Sequence, residues 1–206
     1  MGLLDTLKEG LEKLAREAMP IDPVVFDDPI ATQTRWSPLV PGGSNFRTHR
    51  LVELEPERLA MKKSLAMFLF GSVFLVFGAG AMGGMLVSMI GRGELGSWPF
   101  GLFGAAFLAV GLYAVWPTSM VFDGRMRQIE LKKELVPFGS VHALQIIKER
   151  VSGDKSSYWS YELNLVFRDG ERKNIVDHGN LERLRSDAAQ LRALIGCKLW
   201  DATAVH

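Results

Sequence analysis

The pattern of apolar and polar positions sets residues 61–122 apart from the rest of the chain. No residue is charged from Ser64 to Ile90, and a second uncharged run extends from Leu95 to Phe122. As a helix, each run is about 40 Å long at about 1.5 Å per residue, more than the roughly 30 Å of hydrocarbon in a bilayer. The pattern therefore predicts a transmembrane hairpin over 61–122, with spans at 64–90 and 95–120 and a loop at 91–94.

The alternative is a pair of buried helices in a soluble protein. Two uncharged runs longer than about 18 residues are rare in soluble cores, which favours the membrane interpretation. Neither predicted span contains a histidine or a charged residue. Because intramembrane transport sites normally use such residues, we do not expect one copy of the hairpin to transport a substrate alone. A pore formed by several copies stays open.

Lysine and arginine positions indicate the orientation of the hairpin, because these residues collect on the cytoplasmic side. The loop at 91–94 has only Arg92, so both termini are expected to be cytoplasmic. The residues after the second span could also attract anionic headgroups. The basic residues are Arg47, Arg50, Arg58, Lys62 and Lys63 before the first span, and Arg125, Arg127, Lys132 and Lys133 after the second.

Three segments precede the first span. Residues 1–19 have the spacing of an amphipathic helix, which could lie in the headgroup region or bind a partner helix; its apolar face contains Leu4, Leu7, Leu11 and Leu14. Residues 20–44 contain five prolines and predict an extended linker. Residues 45–60 contain a β-capable run that Pro56 closes.

After the second span the apolar positions alternate with a period of two, as in half-buried strands. Gln128 to Lys132 is one such segment, and Tyr161 to Phe167 is another. The pair Asp169-Gly170 indicates a tight hairpin after the latter. A helix is predicted over 180–195, because apolar residues recur there at helical spacing between the capping residues Asn180 and Gly196.

The segments VFDGRMRQIEL, VPFGSVHALQI and YELNLVFRDGERKNIVDH, followed by the helix, resemble a pleckstrin-homology-like domain over 119–200. The chain is similar to bacterial membrane proteins in which such a domain adjoins transmembrane segments. The resemblance implies an α+β membrane protein of the inner membrane, with an antiparallel sheet or barrel and one C-terminal helix. The transmembrane hairpin would precede this domain or be inserted into it, with a strand from 45–60 joining the sheet.

Glycine-rich spacing within the spans suggests helix packing. Gly78 to Gly83 matches G-x-G-x-x-G, but the match lies inside a span and not between a strand and a helix of a nucleotide fold. Close packing of helices is the better interpretation, within one chain or between two chains. The expected packing residues are Gly80, Gly84, Gly104 and Gly111.

Catalytic and cofactor chemistry are weakly indicated. The four histidines have no metal-like spacing, and we expect no metal, no cofactor and no catalytic residue. Asp177 beside His178 lies at a strand-to-helix turn, where such residues more often stabilise the turn than perform acid/base chemistry. Cys197 is the only cysteine and has few activating cations nearby, so an inert thiol is expected.

The expected function is therefore non-enzymatic. We expect the cytoplasmic domain to assemble with, or regulate, another membrane-associated protein or a second copy, with membrane lipid around the spans. The net charge of +1 gives no argument for nucleic acid. Tyr158 and Trp159, on a polar loop, are candidate contacts for a partner or a headgroup. Anionic-lipid sensing and a homo-oligomeric channel component are the alternatives.

Overall fold

A computed structural model describes residues 21–93, 95–117, 120–131, 134–152 and 156–204. The chain forms two compact units. The helical unit is Lys62–Thr118, and the β unit combines Met1–Met61 with Ser119–His206. The amphipathic helix predicted over 1–19 lies outside the described residues.

The first described residues form short helices and not an extended linker. A 3-10 helix spans Pro23–Phe26, and helix α1 spans Pro29–Gln33. Asp22 and Asp28 each cap one of them, because a carboxylate oxygen accepts a backbone N–H of the following turn at 3.0 Å. A proline at the first helical position has no N–H that would need a partner. Two of the five prolines that predicted a linker over 20–44, Pro23 and Pro29, therefore start helices.

The helical unit contains two apolar helices, as predicted. They are α2, Leu65–Arg92, and α3, Trp98–Val115, with a 3-10 turn at Leu95–Ser97 before α3. The Ser64 hydroxyl caps α2, and Gly93 ends it in the left-handed conformation with φ 66°. The helices have 28 and 18 residues with mean hydropathies of 2.1 and 1.7. Both are long and apolar enough to span a membrane.

Glycines allow α2 and α3 to approach each other closely. A Cβ at Gly78 would lie 2.8 Å from the backbone nitrogen of Leu108, and a Cβ at Gly104 would lie 2.9 Å from the carbonyl oxygen of Gly78. A Cβ at Gly111 would lie 2.9 Å from the carbonyl oxygen of Gly71. Larger residues here would push the two backbones apart.

A five-stranded sheet uses chain segments from both sides of the helical unit. Its strands, in spatial order, are β1 His49–Glu55, β2 Arg58–Lys63, β3 Met120–Asp123, β4 Gln128–Leu131 and β5 Glu134–Pro137. β2 pairs antiparallel with β3, with Met61 opposite Met120. The helical unit is therefore inserted between two paired strands. Pro56 lies in the two-residue turn between β1 and β2, which explains why the chain continues as a strand beyond it.

A four-stranded sheet contains the longer strands of the β unit. The strands are β6 Val141–Ser152, β7 Ser157–Phe167, β8 Arg172–His178 and β9 Lys198–Asp201, in the order β8-β7-β6-β9. β7 pairs antiparallel with β6 and β8, whereas β9 is parallel to β6. β9 follows the C-terminal helix α4, Leu181–Ile195, and is too short for its alternation to be detected in the sequence.

One hydrophobic core joins both sheets to α4. Phe122, Ile129, Leu144, Leu163 and Leu184 are fully buried in it. Burial of one such side chain stabilises a fold by about 1.5–3 kcal/mol, so these contacts hold the two sheets together. The molecule is a mixed α+β protein with two long apolar helices, antiparallel sheets and a C-terminal helix. The single sheet or barrel expected from the sequence is divided into two sheets, one of which includes a parallel pair.

Candidate functional site

The strap, which we define as residues 21–44, lies on the four-stranded sheet. Apolar side chains attach its first half. Phe26 stacks on Trp36 with ring centroids 4.8 Å apart, and Trp36 lies 5.8 Å from Trp200 of β9. Ala31 is fully buried in the same cluster with Ala143. Apolar burial therefore fixes this half of the strap on the sheet.

A buried carboxylate adds a polar attachment to the same half. One Asp28 oxygen lies 2.8 Å from His142 Nε2 and 2.6 Å from Lys198 Nζ, and the Asp28 side chain is 1% exposed. Burial raises the pKa of the Asp28 carboxyl, but the hydrogen bonds from Lys198 and His142 outweigh this effect and lower the pKa from 3.8 to about 2. Asp28 is therefore ionised and paired at neutral pH.

The second half of the strap is held through its backbone. The side chains that hold it come from three strands, and we call them the polar face: Gln145 and Glu149 of β6, Tyr158, Ser160 and Glu162 of β7, and Arg172 of β8. Four of them donate to carbonyl oxygens of the strap at 2.9–3.2 Å. Those carbonyl oxygens belong to Arg35, Ser37, Gly43 and Ser44.

Two carboxylates of the polar face accept the N–H groups of the strap. Glu162 accepts from the backbone nitrogens of Leu39 and Val40, each at 2.9 Å, and Glu149 accepts from Gly42 at 3.1 Å. Glu162 is only 4% exposed and also accepts from the side-chain amide of Asn164 at 2.6 Å. Hydrogen bonds to a charged acceptor are stronger than neutral ones, and they compensate the carboxylate for lost water.

The polar face therefore binds the backbone of the strap, which bends at residue 37 and over residues 39–42. Its donors meet carbonyl oxygens and its acceptors meet N–H groups, and every amino acid except proline offers both. The side chains of Leu39 and Val40, by contrast, are 39% and 49% exposed. Sequence preference must come from elsewhere along the strap.

Gly43 supplies such a preference, because the strap approaches β7 and β8 most closely there. A Cβ at Gly43 would collide with the Ser160 hydroxyl and would lie 3.2 Å from the Cβ of Asp177. At Gly42 an added Cβ would meet no atom within 4 Å, but the φ of 84° favours glycine. The bound segment therefore favours a glycine at both positions 42 and 43.

Asp177 lies at the end of β8 with the carboxylates of the polar face. Burial raises its pKa, and the negative charges of Glu162 and Glu149 add to the effect, so the pKa rises from 3.8 to about 7. A hydrogen bond from Asn174 at 3.0 Å opposes the shift. Near neutral pH, Asp177 therefore exists in both protonation states.

His178 follows directly and is fully buried. Burial lowers its pKa from 6.5 to about 4, and the positive charge of Arg47 and the neighbouring His49 act in the same direction. Its Nδ1 accepts the backbone N–H of Asn180 at 3.1 Å, which assigns the proton of the neutral ring to Nε2. His178 therefore stabilises the turn into α4 as a neutral side chain.

The candidate contacts Tyr158 and Trp159 belong to β7 and not to the polar loop expected from the sequence. The Tyr158 hydroxyl donates to the carbonyl oxygen of Gly43 at 2.9 Å, so this side chain is part of the polar face. Trp159 is 42% exposed, and Lys148 Nζ lies 5.2 Å from the centroid of its ring. A cation at this distance stabilises the ring in its position.

The basic candidates lie in the other sheet. Arg125 and Arg127 belong to the turn between β3 and β4, at the opposite end of β3 from Met120. Arg125 donates to Glu55 at 3.4 Å, and the Arg127 guanidinium lies 5.9 Å from the ring centroid of Phe138. These contacts stabilise the β unit and do not form a cluster with Tyr158 and Trp159. Lys132 and Lys133 lie outside the described residues.

The four candidate packing glycines fall into two pairs. Gly104 and Gly111 lie between α2 and α3, as described above. A Cβ at Gly80 or Gly84 would meet no atom of the described residues within 4 Å. The G-x-x-x-G of α2 is therefore not used in packing the hairpin. Leu4, Leu7, Leu11 and Leu14 lie outside the described residues.

Metal ligands and an activated thiol were not expected. In the part of the chain that the structure describes, no group of three or more His, Cys, Asp and Glu side chains could hold a metal ion. Burial raises the pKa of the Cys197 thiol to about 11 and outweighs the hydrogen bonds that lower it. The thiolate is the reactive form, so this cysteine is inert at neutral pH.

Sequence reasoning missed most of the polar face. Gln145, Glu149, Ser160, Glu162 and Arg172 were not candidates, because alternating polar positions on a strand usually face solvent. The one available signal was the type of polar residue at the alternating positions. Amide and carboxylate side chains recur on β6 and β7 in place of the lysines and threonines common on solvated strands.

Comparison with protein-family models, with curated proteins and with solved structures finds no match to this chain. The function must therefore be argued from the geometry of the β unit and the composition of the helical unit.

Proposed function

We propose that this protein is a non-enzymatic membrane protein whose β unit binds a peptide segment through its backbone, and so assembles with or regulates another protein at the membrane. The observation that carries the proposal is the polar face. Its side chains bind both carbonyl oxygens and N–H groups of residues 35–44. This pairing is the chemistry of peptide recognition, and the chain's own strap serves as the example.

The composition of the helical unit supports a location at a membrane. Two helices long enough to cross a bilayer would confine the β unit to one membrane surface and raise its effective concentration towards partners there. We propose that it is a multi-pass protein of a bacterial inner membrane with both termini cytoplasmic, because Arg92, at the end of α2, is the only lysine or arginine from Leu65 to Val115. The two sheets with a C-terminal helix against their core support a pleckstrin-homology-like domain.

The strap and a ligand in trans would compete for the same face. A protein whose strap is displaced should therefore bind the missing segment as a free peptide. The Gly43→Val substitution displaces the strap by collision with Ser160, and Leu39→Pro removes one N–H that Glu162 accepts. Both changes leave the polar face itself intact.

The experiment measures fluorescence anisotropy of a labelled peptide, residues 33–46, with full-length protein in lipid nanodiscs. We expect each strap variant to bind this peptide at least about tenfold more tightly than the wild type, in which the strap occupies the face. A peptide carrying Gly43→Val is the matched control and should bind neither protein. The proposal fails if both strap variants, with the near-UV circular dichroism of a folded β unit, bind the two peptides equally.

A further inference from the structure

Asp177 lies beneath the strap, beside a carboxylate that holds it. In the pairing of β7 with β8, Asp177 is directly opposite Glu162. Glu162 accepts N–H groups of the strap, and a Cβ at Gly43 of the strap would lie 3.2 Å from the Cβ of Asp177. We infer that the strap is a pH-sensitive cover of the polar face, docked while Asp177 is protonated and released over residues 37–44 as Asp177 ionises. The inference rests on the proposed function and adds its regulation.

Three strands bring carboxylates together under the strap. Glu149 of β6 and Glu162 of β7 accept its N–H groups, and Asp177 of β8 is the third. Like charges directly opposite each other on neighbouring strands destabilise a sheet. Residues 36–46 of the chain contain no lysine or arginine. The strap therefore covers these carboxylates without bringing a cation to them.

The charges that act on Asp177 are negative. The titratable and charged groups on the elements around it are Glu149 of β6, Glu162 of β7, Arg172 and His178 of β8, and Arg47 and His49 at the start of β1. Arg47 pairs with Asp187 of α4 at 2.8 Å. The charges that shift the pKa of Asp177 are those of Glu162 and Glu149, and both raise it. Ionisation of Asp177 therefore places a third negative charge under the docked strap.

The direction of the effect follows from the protons bound in each state. Beneath the docked strap, burial is the largest cause that raises the pKa of Asp177 from 3.8 to about 7. Release of the strap returns water to the carboxyl, so the pKa falls towards its ordinary value. The docked form therefore binds more protons than the released form. Docking weakens as pH rises towards 7, by up to about tenfold per pH unit, and levels off above pH 7.

His178 does not titrate with the strap. Successive side chains of a strand alternate between its two faces, so His178 lies on the face of β8 away from the strap. Its Nδ1 accepts the N–H of Asn180 before α4, and release of the strap leaves this bond in place. The pH dependence of docking is therefore that of Asp177, whereas global unfolding also exposes His178.

Hydrogen exchange of the strap tests the inference on full-length protein in lipid nanodiscs. A proteolytic fragment covering residues 37–44 carries the N–H groups of Leu39, Val40 and Gly42, which are bonded in the docked form. Each exchange rate is divided by that of an unstructured chain at the same pH, which gives a protection factor. We expect this factor to fall about tenfold from pH 6 to pH 8. It should stay below that of residues 163–165 in the core of β7, because the strap opens locally.

Three variants separate the titration of Asp177 from other causes. Asp177→Asn keeps a partner for Asn174 but removes the titrating group, so it should lose most of the fall in protection. Asp169→Asn, in the exposed turn after β7, is the matched control and should keep the fall. Glu162→Gln keeps an acceptor for the strap but removes the opposite charge, so the fall should move to lower pH.

The inference is rejected if the wild type shows no fall, or if Asp177→Asn falls as much as the wild type. It is also rejected if Glu162→Gln leaves the fall at the same pH, or if the strap and the core of β7 have equal protection, because the strap would then open only on global unfolding.

The peptide experiment distinguishes this failure from failure of the proposed function. If the free peptide binds the strap variants but protection of the strap does not change with pH, the pH sensitivity is wrong and the polar face stands as a peptide-binding site. If protection changes as expected but no peptide binds, the strap is a pH-sensitive part of the fold and the proposed function is wrong.

Discussion

Asp177 and His178 should change the free energy of unfolding with pH in opposite directions, so that their contributions cancel in the wild type. Replacing either residue should expose the pH dependence that the other contributes. Burial disfavours the charged form of both side chains, so the pKa of Asp177 rises and that of His178 falls. The informative substitutions are Asp177→Asn and His178→Asn. The first removes an ionisable group while keeping an amide that can bond Asn174, and the second keeps an acceptor for the N–H of Asn180.

The sign follows from the protons bound in each state. The unfolded chain loses the Asp177 proton near pH 3.8, but the folded chain keeps it to about pH 7, so this group lowers stability as pH rises through that window. The unfolded chain protonates His178 below pH 6.5, but the folded chain does so only below about 4, so this group lowers stability as pH falls. Between pH 4 and 6.5 the two slopes cancel.

The magnitudes follow from the shifts. At 1.36 kcal/mol per pKa unit, the rise of about three units at Asp177 corresponds to a change of up to about 4 kcal/mol in the free energy of unfolding between pH 4 and 7. The fall at His178 corresponds to up to about 3 kcal/mol. Relative to wild type, Asp177→Asn should therefore gain up to about 4 kcal/mol from pH 4 to pH 7, and His178→Asn should lose up to about 3 kcal/mol from pH 4 to pH 6.5.

The assay is urea unfolding of full-length protein in detergent at half-unit steps from pH 4 to pH 8, followed by fluorescence. The other three tryptophans, Trp98, Trp116 and Trp159, are replaced by Phe in every variant, so that Trp36 and Trp200 report on the β unit. The constant cost of each substitution cancels when only its change with pH is compared. Two pH-independent differences, constant within about 1 kcal/mol, would show that neither group has the shifted pKa described.

Three further predictions concern other parts of the molecule. Gly104→Val should separate α2 from α3 and reduce chemical cross-linking between these two helices. Gly84→Val should not, because only a Cβ at Gly104 meets backbone atoms of the other helix. Equal effects of the two substitutions would contradict the described packing of α2 against α3. Cys197 should react with iodoacetamide at neutral pH at least about tenfold more slowly than the urea-unfolded chain, since thiolate is the reactive form. Asp28→Asn should destabilise the β unit by about 2 kcal/mol in urea unfolding at pH 7, because the buried carboxylate loses its charge-assisted bonds to His142 and Lys198, while Asp22→Asn, at an exposed cap, should cost less.

The helices and the general class of the fold could be predicted from periodicity alone. The uncharged runs predicted two long apolar helices, and the alternation after Phe122 predicted antiparallel strands; both are confirmed. The C-terminal helix is confirmed as well, with Asn180 accepting the N–H of Arg183 at 3.0 Å and Gly196 in the left-handed conformation. These features depend on residues close together in sequence, where spacing carries the information.

The division into two sheets could not be predicted, because it depends on pairing between distant strands. β9 has four residues and pairs in parallel with β6 from more than 50 positions away. β2 was not predicted as a separate strand for another reason. Its last residues adjoin the apolar run and were assigned to the transmembrane hairpin. Local patterns establish that a strand exists, but they do not establish its neighbours.

The strap was also poorly predicted, because its contacts with the sheet join residues that are distant in sequence. Its prolines were interpreted as an extended linker, although Asp22 and Asp28 before them are helix caps. A capping aspartate immediately before a proline is a local signal that could have been used. The docking of residues 35–44 had no such signal, because it depends on backbone groups that every sequence offers.

The polar character of the face bears on whether the strap can leave it. An apolar face exposed by strap release would collapse or aggregate, since it gains nothing from water. Glu149, Glu162 and Arg172 would instead exchange their bonds to the strap backbone for bonds to water, which limits the net cost to about 0.5–1.5 kcal/mol for each neutral bond and somewhat more for each charged one. The apolar cluster around Trp36 and Trp200 provides most of the remaining resistance. A strap with an apolar cluster at one end and backbone bonds to polar side chains along residues 35–44 can therefore exchange those bonds with water, or with a second segment, without exposing an apolar face.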